Sequence, residues 1–117
     1  METILKKLVW IGSSRTDLKE LPPEVQDDIG YSLYQAQLGL FPDHAKHLKG
    51  LGGVIEIIEN FDKNTYRAIY GTKLGDCLYV LHVFQKKSKS GIKTPKEDIE
   101  LIRQRLQIAK MIARGEL

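Results

Sequence analysis

Apolar positions along this chain follow the period of a strand, then of helices, then of strands again, and last of a helix. Residues 5–11 place Leu5, Leu8, Val9, Trp10 and Ile11 around Lys6 and Lys7 and stop at Gly12-Ser13-Ser14, which predicts a first strand. Ser14 with Asp17 three residues later resembles a capping box, so a short helix is expected over 17–21, halted by Pro22-Pro23. From Pro23 onward Val25, Ile29, Leu33, Ala36 and Leu40 recur at helical spacing. Glu24, Asp27 and Asp28 fill the first turns, where the helix dipole favours negative charge, and Gly39 and Pro42 close the helix.

Residues 43–53 form a basic, glycine-rich connection without the spacing of a phosphate-binding or dinucleotide fingerprint, so no nucleotide cofactor is expected. Three runs rich in β-branched and aromatic residues follow, at 54–61, 66–72 and 77–85. Asp62-Lys63-Asn64 and Lys73-Leu74-Gly75-Asp76 are the turns between them. Turns this short make antiparallel hairpins. A last helix is signalled by Thr94 as N-cap, Pro95 as first residue and Glu97 as capping partner, with Ile99, Ile102, Leu106, Ala109 and Ile112 on one face. The expected fold is α+β: a mostly antiparallel four-stranded sheet in the order β-α-α-β-β-β-α, with its helices on one face.

A length of 117 residues suits one domain spanning 1–117, with one core and no internal boundary. Apolar residues broken by Lys6 and Lys7 give neither a signal-peptide core nor a membrane span, and the lone Cys77 excludes an internal disulfide, so a cytoplasmic protein is expected. Cys77 reads as a small apolar strand residue. The formal charge is only +3, but the arrangement of charge is more telling than its sum. Between residues 86 and 96 there are five lysines and no acid, placed where a strand ends and a helix begins, and cations gathered there can meet phosphate. The three histidines lack the spacing of a metal site, so no metal is expected.

Three segments together resemble the RelE/ParE toxin superfamily, and within it the HigB-like, phage-derived branch of type II toxin-antitoxin systems. They are Leu48-Lys49-Gly50-Leu51-Gly52-Gly53-Val54-Ile55-Glu56, Tyr66-Arg67-Ala68-Ile69-Tyr70, and Leu81-His82-Val83-Phe84-Gln85-Lys86-Lys87-Ser88 continuing to Lys93-Thr94-Pro95. The resemblance covers nearly the whole chain and implies a ribosome-dependent mRNA endonuclease restrained by a cognate antitoxin. It would use no cofactor and no metal, with the ribose 2′-hydroxyl attacking the adjacent phosphate.

Carried onto this chain, the resemblance makes Arg67 the phosphate clamp, because a guanidinium offers two parallel hydrogen bonds. It makes Lys86 the cation at the end of the last strand and His47 a group suited to acid-base work. Lys46, Lys49, Lys87, Lys89 and Lys93 would bind RNA. Strand parity puts Tyr66 and Tyr70 on one face and Arg67 on the other, and His82, among apolar neighbours, reads as structural. This chain departs from many relatives in two places: Ile57 and Ile58 follow Glu56 where an arginine is common, and a long helix replaces a short tail bearing tyrosine or histidine. The general base is thus open between His47 and a lysine. A non-catalytic inhibitor of DNA gyrase of the ParE kind, or a degenerate antitoxin-binding protein, is the alternative.

Overall fold

The computed structural model describes residues 4–86 and 94–117. In chain order the elements are β1 (Lys7–Trp10), α1 (Ser14–Lys19), α2 (Pro23–Gln37), β2 (Ala45–His47), β3 (Val54–Phe61), β4 (Asn64–Leu74), β5 (Cys77–Lys86) and α3 (Lys96–Ala113). They build a five-stranded sheet in the order β1-β5-β4-β3-β2, antiparallel except that β1 runs parallel to β5, with Lys7 opposite Cys77 and Trp10 opposite Val80.

Three expectations need correcting. The sheet has five strands, because β2 lies within the stretch read as connection. It spans three residues at an edge, two of them exposed and polar, and so carries no apolar period. The sheet is mixed, because α1 and α2 form the crossover that brings β1 and β5 alongside in parallel. The helices cover both faces. Val25, Ile29, Leu33 and Ala36 of α2 pack on Ile55, Ile57, Tyr66, Ala68, Tyr70, Leu78, Val80 and Val83, while Ile102, Leu106 and Ala109 of α3 pack on Val54, Ile69, Tyr79 and Leu81. The six consecutive buried residues Leu78 to Val83 are what a doubly covered strand requires. Burying a side chain such as Ile102, which is 0% exposed, contributes roughly 1.5–3 kcal/mol, so each helix is held by its apolar stripe.

The helix starts also differ in detail. Ser13 is the N-cap of α1, its hydroxyl donating to Asp17 at 2.7 Å, while the buried Ser14 donates to the Val80 carbonyl at 3.1 Å. α3 starts one residue later than expected, with Pro95 as N-cap, and the Thr94 hydroxyl serves another purpose described below. α2 ends at Gln37, so Leu40 lies past it and is 57% exposed. The β3–β4 hairpin turns through Asp62 and Lys63, both at positive φ (49° and 66°), as a two-residue turn matched to strand twist demands. No helix among the described residues is long and apolar enough to cross a membrane.

Candidate nucleic-acid cleft

Alternation along the strands decides which side chains meet on the face beneath α3. Tyr66, Ala68 and Tyr70 enter the core under α2, which leaves Arg67 and Ile69 on the α3 face. Register then sets Lys46 opposite Glu56, Glu56 opposite Ile69, Arg67 opposite Phe84, and Lys86 opposite Thr65. Lys46, Glu56, Arg67 and Lys86 therefore share one end of one face. Thr94, just ahead of α3, closes over them.

At the centre is a buried network. Arg67 Nη1 donates to Glu56 Oε1 at 2.5 Å and to Thr94 Oγ1 at 3.0 Å, and the Thr94 hydroxyl donates to Glu56 Oε2 at 3.0 Å. Arg67 is 3% exposed and Glu56 1%. Charges this deep persist only when paired and hydrogen-bonded, so the three residues fix one another. The Thr94 hydroxyl is spent here, which is why it does not cap α3.

Around this network the surface is cationic. A hollow of about 650 Å³ is lined by Lys46, His47, Leu48, Lys49, Glu56, Thr94 and Ile99. Lys86 stands close enough to feel its neighbours. Its pKa lies below the ordinary lysine value, first through desolvation and then through the positive charges of Arg67 and Lys46, with Glu56 opposing. A lysine so placed is already partly stripped of water and gains from an added anion.

The structure thus brings together Lys46, His47, Lys49, Lys86 and Arg67, but it revises the role expected of Arg67. Arg67 does not present an open fork to phosphate, because its guanidinium is buried against Glu56 and Thr94. Its position organises the cleft floor from within. His47 also lines the hollow, although it pairs with Ile55, a residue of the α2-side core, and its ring rests on Phe41 with centroids 5.2 Å apart. Lys87, Lys89 and Lys93 lie outside the described residues. Tyr66, Tyr70 and Tyr79 are core residues, 5%, 2% and 3% exposed. His82 is buried, bonded through Nε2 to Asp98 at 2.7 Å and stacked on Phe84.

Sequence reasoning missed the part played by Glu56 and Thr94. Glu56 sits in a run of four apolar residues, Val54, Ile55, Ile57 and Ile58, and an acid there signals a buried partner. Arg67, flanked by Tyr66 and Ala68, is the matching signal on the next strand.

The model of the family "Phage derived protein Gp49-like (DUF891)" matches residues 16–107. The chain belongs to this Gp49-like family. Among solved structures, one chain of the toxin–antitoxin complex RelBE2 from Mycobacterium tuberculosis has a similar fold. The TM-score is 0.51 at 18% sequence identity, over 74% of this chain and 98% of that one. No curated protein matches. The Gp49-like family is phage-derived and the fold is RelE-like, in accord with the resemblance read in the sequence.

Proposed function

We propose that this Gp49-like protein is the toxin of a toxin–antitoxin module and acts as an mRNA endonuclease on the ribosome. The observation that carries this reading is the cleft itself, where Lys46, Lys49 and Lys86 surround the buried Glu56–Arg67–Thr94 network. A rigid floor with cations at its rim suits a polyanion whose backbone must be held while one phosphate reacts. RNA brings its own nucleophile, the 2′-hydroxyl, so the protein has to orient the chain, take one proton and stabilise charge on the phosphoryl oxygens. Lys46 and Lys86 supply that stabilisation. Arg67 acts indirectly, by holding Glu56 and Thr94 so that the rim lysines keep their spacing.

The fold shared with a chain of a toxin–antitoxin complex supports a cognate antitoxin as partner. An acidic or amphipathic antitoxin segment over the same lysines would neutralise the toxin by competing with RNA. The test is expression from a tightly repressed promoter in a bacterial host, wild type beside Lys46→Ala/Lys86→Ala, with primer extension on a translated messenger. Growth arrest with new cuts, lost in the double variant, is expected. Growth arrest with intact messenger would replace this reading with a gyrase-type inhibitor, and no arrest would leave an antitoxin-binding protein without toxicity.

A further inference from the structure

β5 outruns the strand beside it. β1 pairs only with Cys77 to Val80, so from His82 to Gln85 the strand is joined to β4 on one side and, among the described residues, to no strand on the other. Val80 is still held on that outer side, its carbonyl accepting from the Ile11 amide at 2.9 Å and the Ser14 hydroxyl at 3.1 Å. In an antiparallel pair alternate residues turn both backbone groups toward the neighbour, so two of the four from His82 to Gln85 point theirs away from β4. Among the described residues no loop or side chain is bonded to those outward groups. An open edge of this kind is a template for one more strand.

The edge lies along an acidic slot. A hollow of about 780 Å³ is lined by these four residues, with Asp17 and Glu20 from α1 and its end on one wall and Pro95 to Asp98 on the other. Leu18 and Leu21 pack into the core under α2, so α1 stands over that face of the sheet, while α3 covers the opposite face. A strand laid between them directs successive side chains to alternate faces and meets carboxylates on both, Asp17 and Glu20 on one, Glu97 and Asp98 on the other. Lys96 is the one lysine or arginine in this lining. His82, 7% exposed and part of the same lining, has its Nδ1 buried without a hydrogen-bond partner among the described residues, and such a group calls for a missing contact.

We propose that this slot receives an extended, lysine- or arginine-rich segment of the cognate antitoxin, added to β5 beyond the end of β1, a proposal that rests on the antitoxin reading. Four carboxylates repel nucleic acid, so the occupant is a protein segment. Backbone hydrogen bonds along the edge hold it, and the acids on both walls select its basic side chains. The start of α3 separates the slot from the cleft: Thr94 and Ile99 line the cationic hollow, and Pro95 to Asp98 the acidic one. One antitoxin chain can therefore set an acidic part over Lys46 and Lys49 and a basic part in the slot. The spacing of the two charges then decides which antitoxin fits.

The test is titration of the antitoxin encoded beside this gene against the full-length protein, with amide hydrogen exchange measured on the complex. Exchange within residues 82–85 is expected to slow by about tenfold or more on binding. Glu20→Lys/Glu97→Lys should raise Kd by about tenfold or more, whereas Glu24→Lys/Asp28→Lys, the same change of net charge on exposed residues of α2, should leave it within about threefold. A complex whose exchange at 82–85 is unchanged would overturn the proposal while leaving the antitoxin reading intact. Equal Kd values for the slot variant and the α2 variant would overturn it as well. The exchange measurement uses wild type, so a variant that fails to fold leaves it decisive. No complex with wild type would remove the antitoxin reading and this proposal together.

Discussion

Replacing Glu56 by Met removes the carboxylate that holds Arg67 while keeping most of the side-chain volume. The guanidinium is 3% exposed and cannot reach bulk water without opening the floor of the cleft, so Glu56→Met removes the carboxylate that pairs with this buried charge. Breaking a buried pair from one side costs about 3–5 kcal/mol, and Arg67→Met should cost a similar amount by stranding Glu56. For a chain of this size that is a melting temperature lower by roughly 10–25 °C. The double variant Glu56→Met/Arg67→Met strands neither charge, because two apolar side chains can pack where the pair was and Thr94 can turn to solvent. It should be the more stable of the three, within about 2 kcal/mol of wild type. Urea denaturation followed by circular dichroism gives all three values at once. If the two single variants each cost under about 1 kcal/mol and their effects simply added, the pair would be solvated in solution and the buried-network account would be wrong.

Lys46→Ala and Lys86→Ala should each weaken binding of single-stranded RNA and lower the slope of log K against log salt by about 0.7, which titration at several salt concentrations measures directly. Tyr70 has its phenol pushed up to about 12 by burial, so it should ionise after the exposed tyrosines in an ultraviolet pH titration. Because its folded pKa exceeds the unfolded value, its contribution to stability is whole below about pH 10 and is lost as pH rises from there towards 12. Gly12 has φ of 58°, and a Cβ there would stand 2.8 Å from Arg105 Nε, whose guanidinium bonds the Leu81 carbonyl and Ser13. Gly12→Ala should therefore destabilise by about 2–3 kcal/mol in urea denaturation, from left-handed backbone strain and a disturbed hydrogen bond.

Much of the fold was legible because the period of the apolar residues is strong where the elements are long. The stripe from Ile99 to Ile112 and the runs around β3, β4 and β5 all appear where the pattern puts them. β2 was hidden because three edge residues with exposed side chains need no apolar alternation, and pairing comes from the backbone alone. That β1 lies parallel to β5 is a long-range fact, set by how the α1–α2 crossover packs, which no local pattern contains. Of the site, parity alone placed Arg67 opposite in facing to Tyr66 and Tyr70. It could not show that Arg67 is consumed internally, because Glu56 lies 11 residues away and Thr94 27, and only register and the docking of α3 bring them within hydrogen-bonding distance.

The central claim, that the lysine-rimmed cleft cuts RNA through the 2′-hydroxyl, is tested most directly by the ends of the RNA fragments. Purified protein is mixed with programmed ribosomes carrying a defined mRNA, and the fragments are analysed by mass spectrometry. The account predicts fragments ending in 2′,3′-cyclic phosphate paired with fragments beginning in 5′-hydroxyl, absent with Lys46→Ala/Lys86→Ala. Intact mRNA, or fragments bearing 5′-phosphate and 3′-hydroxyl ends, would contradict it.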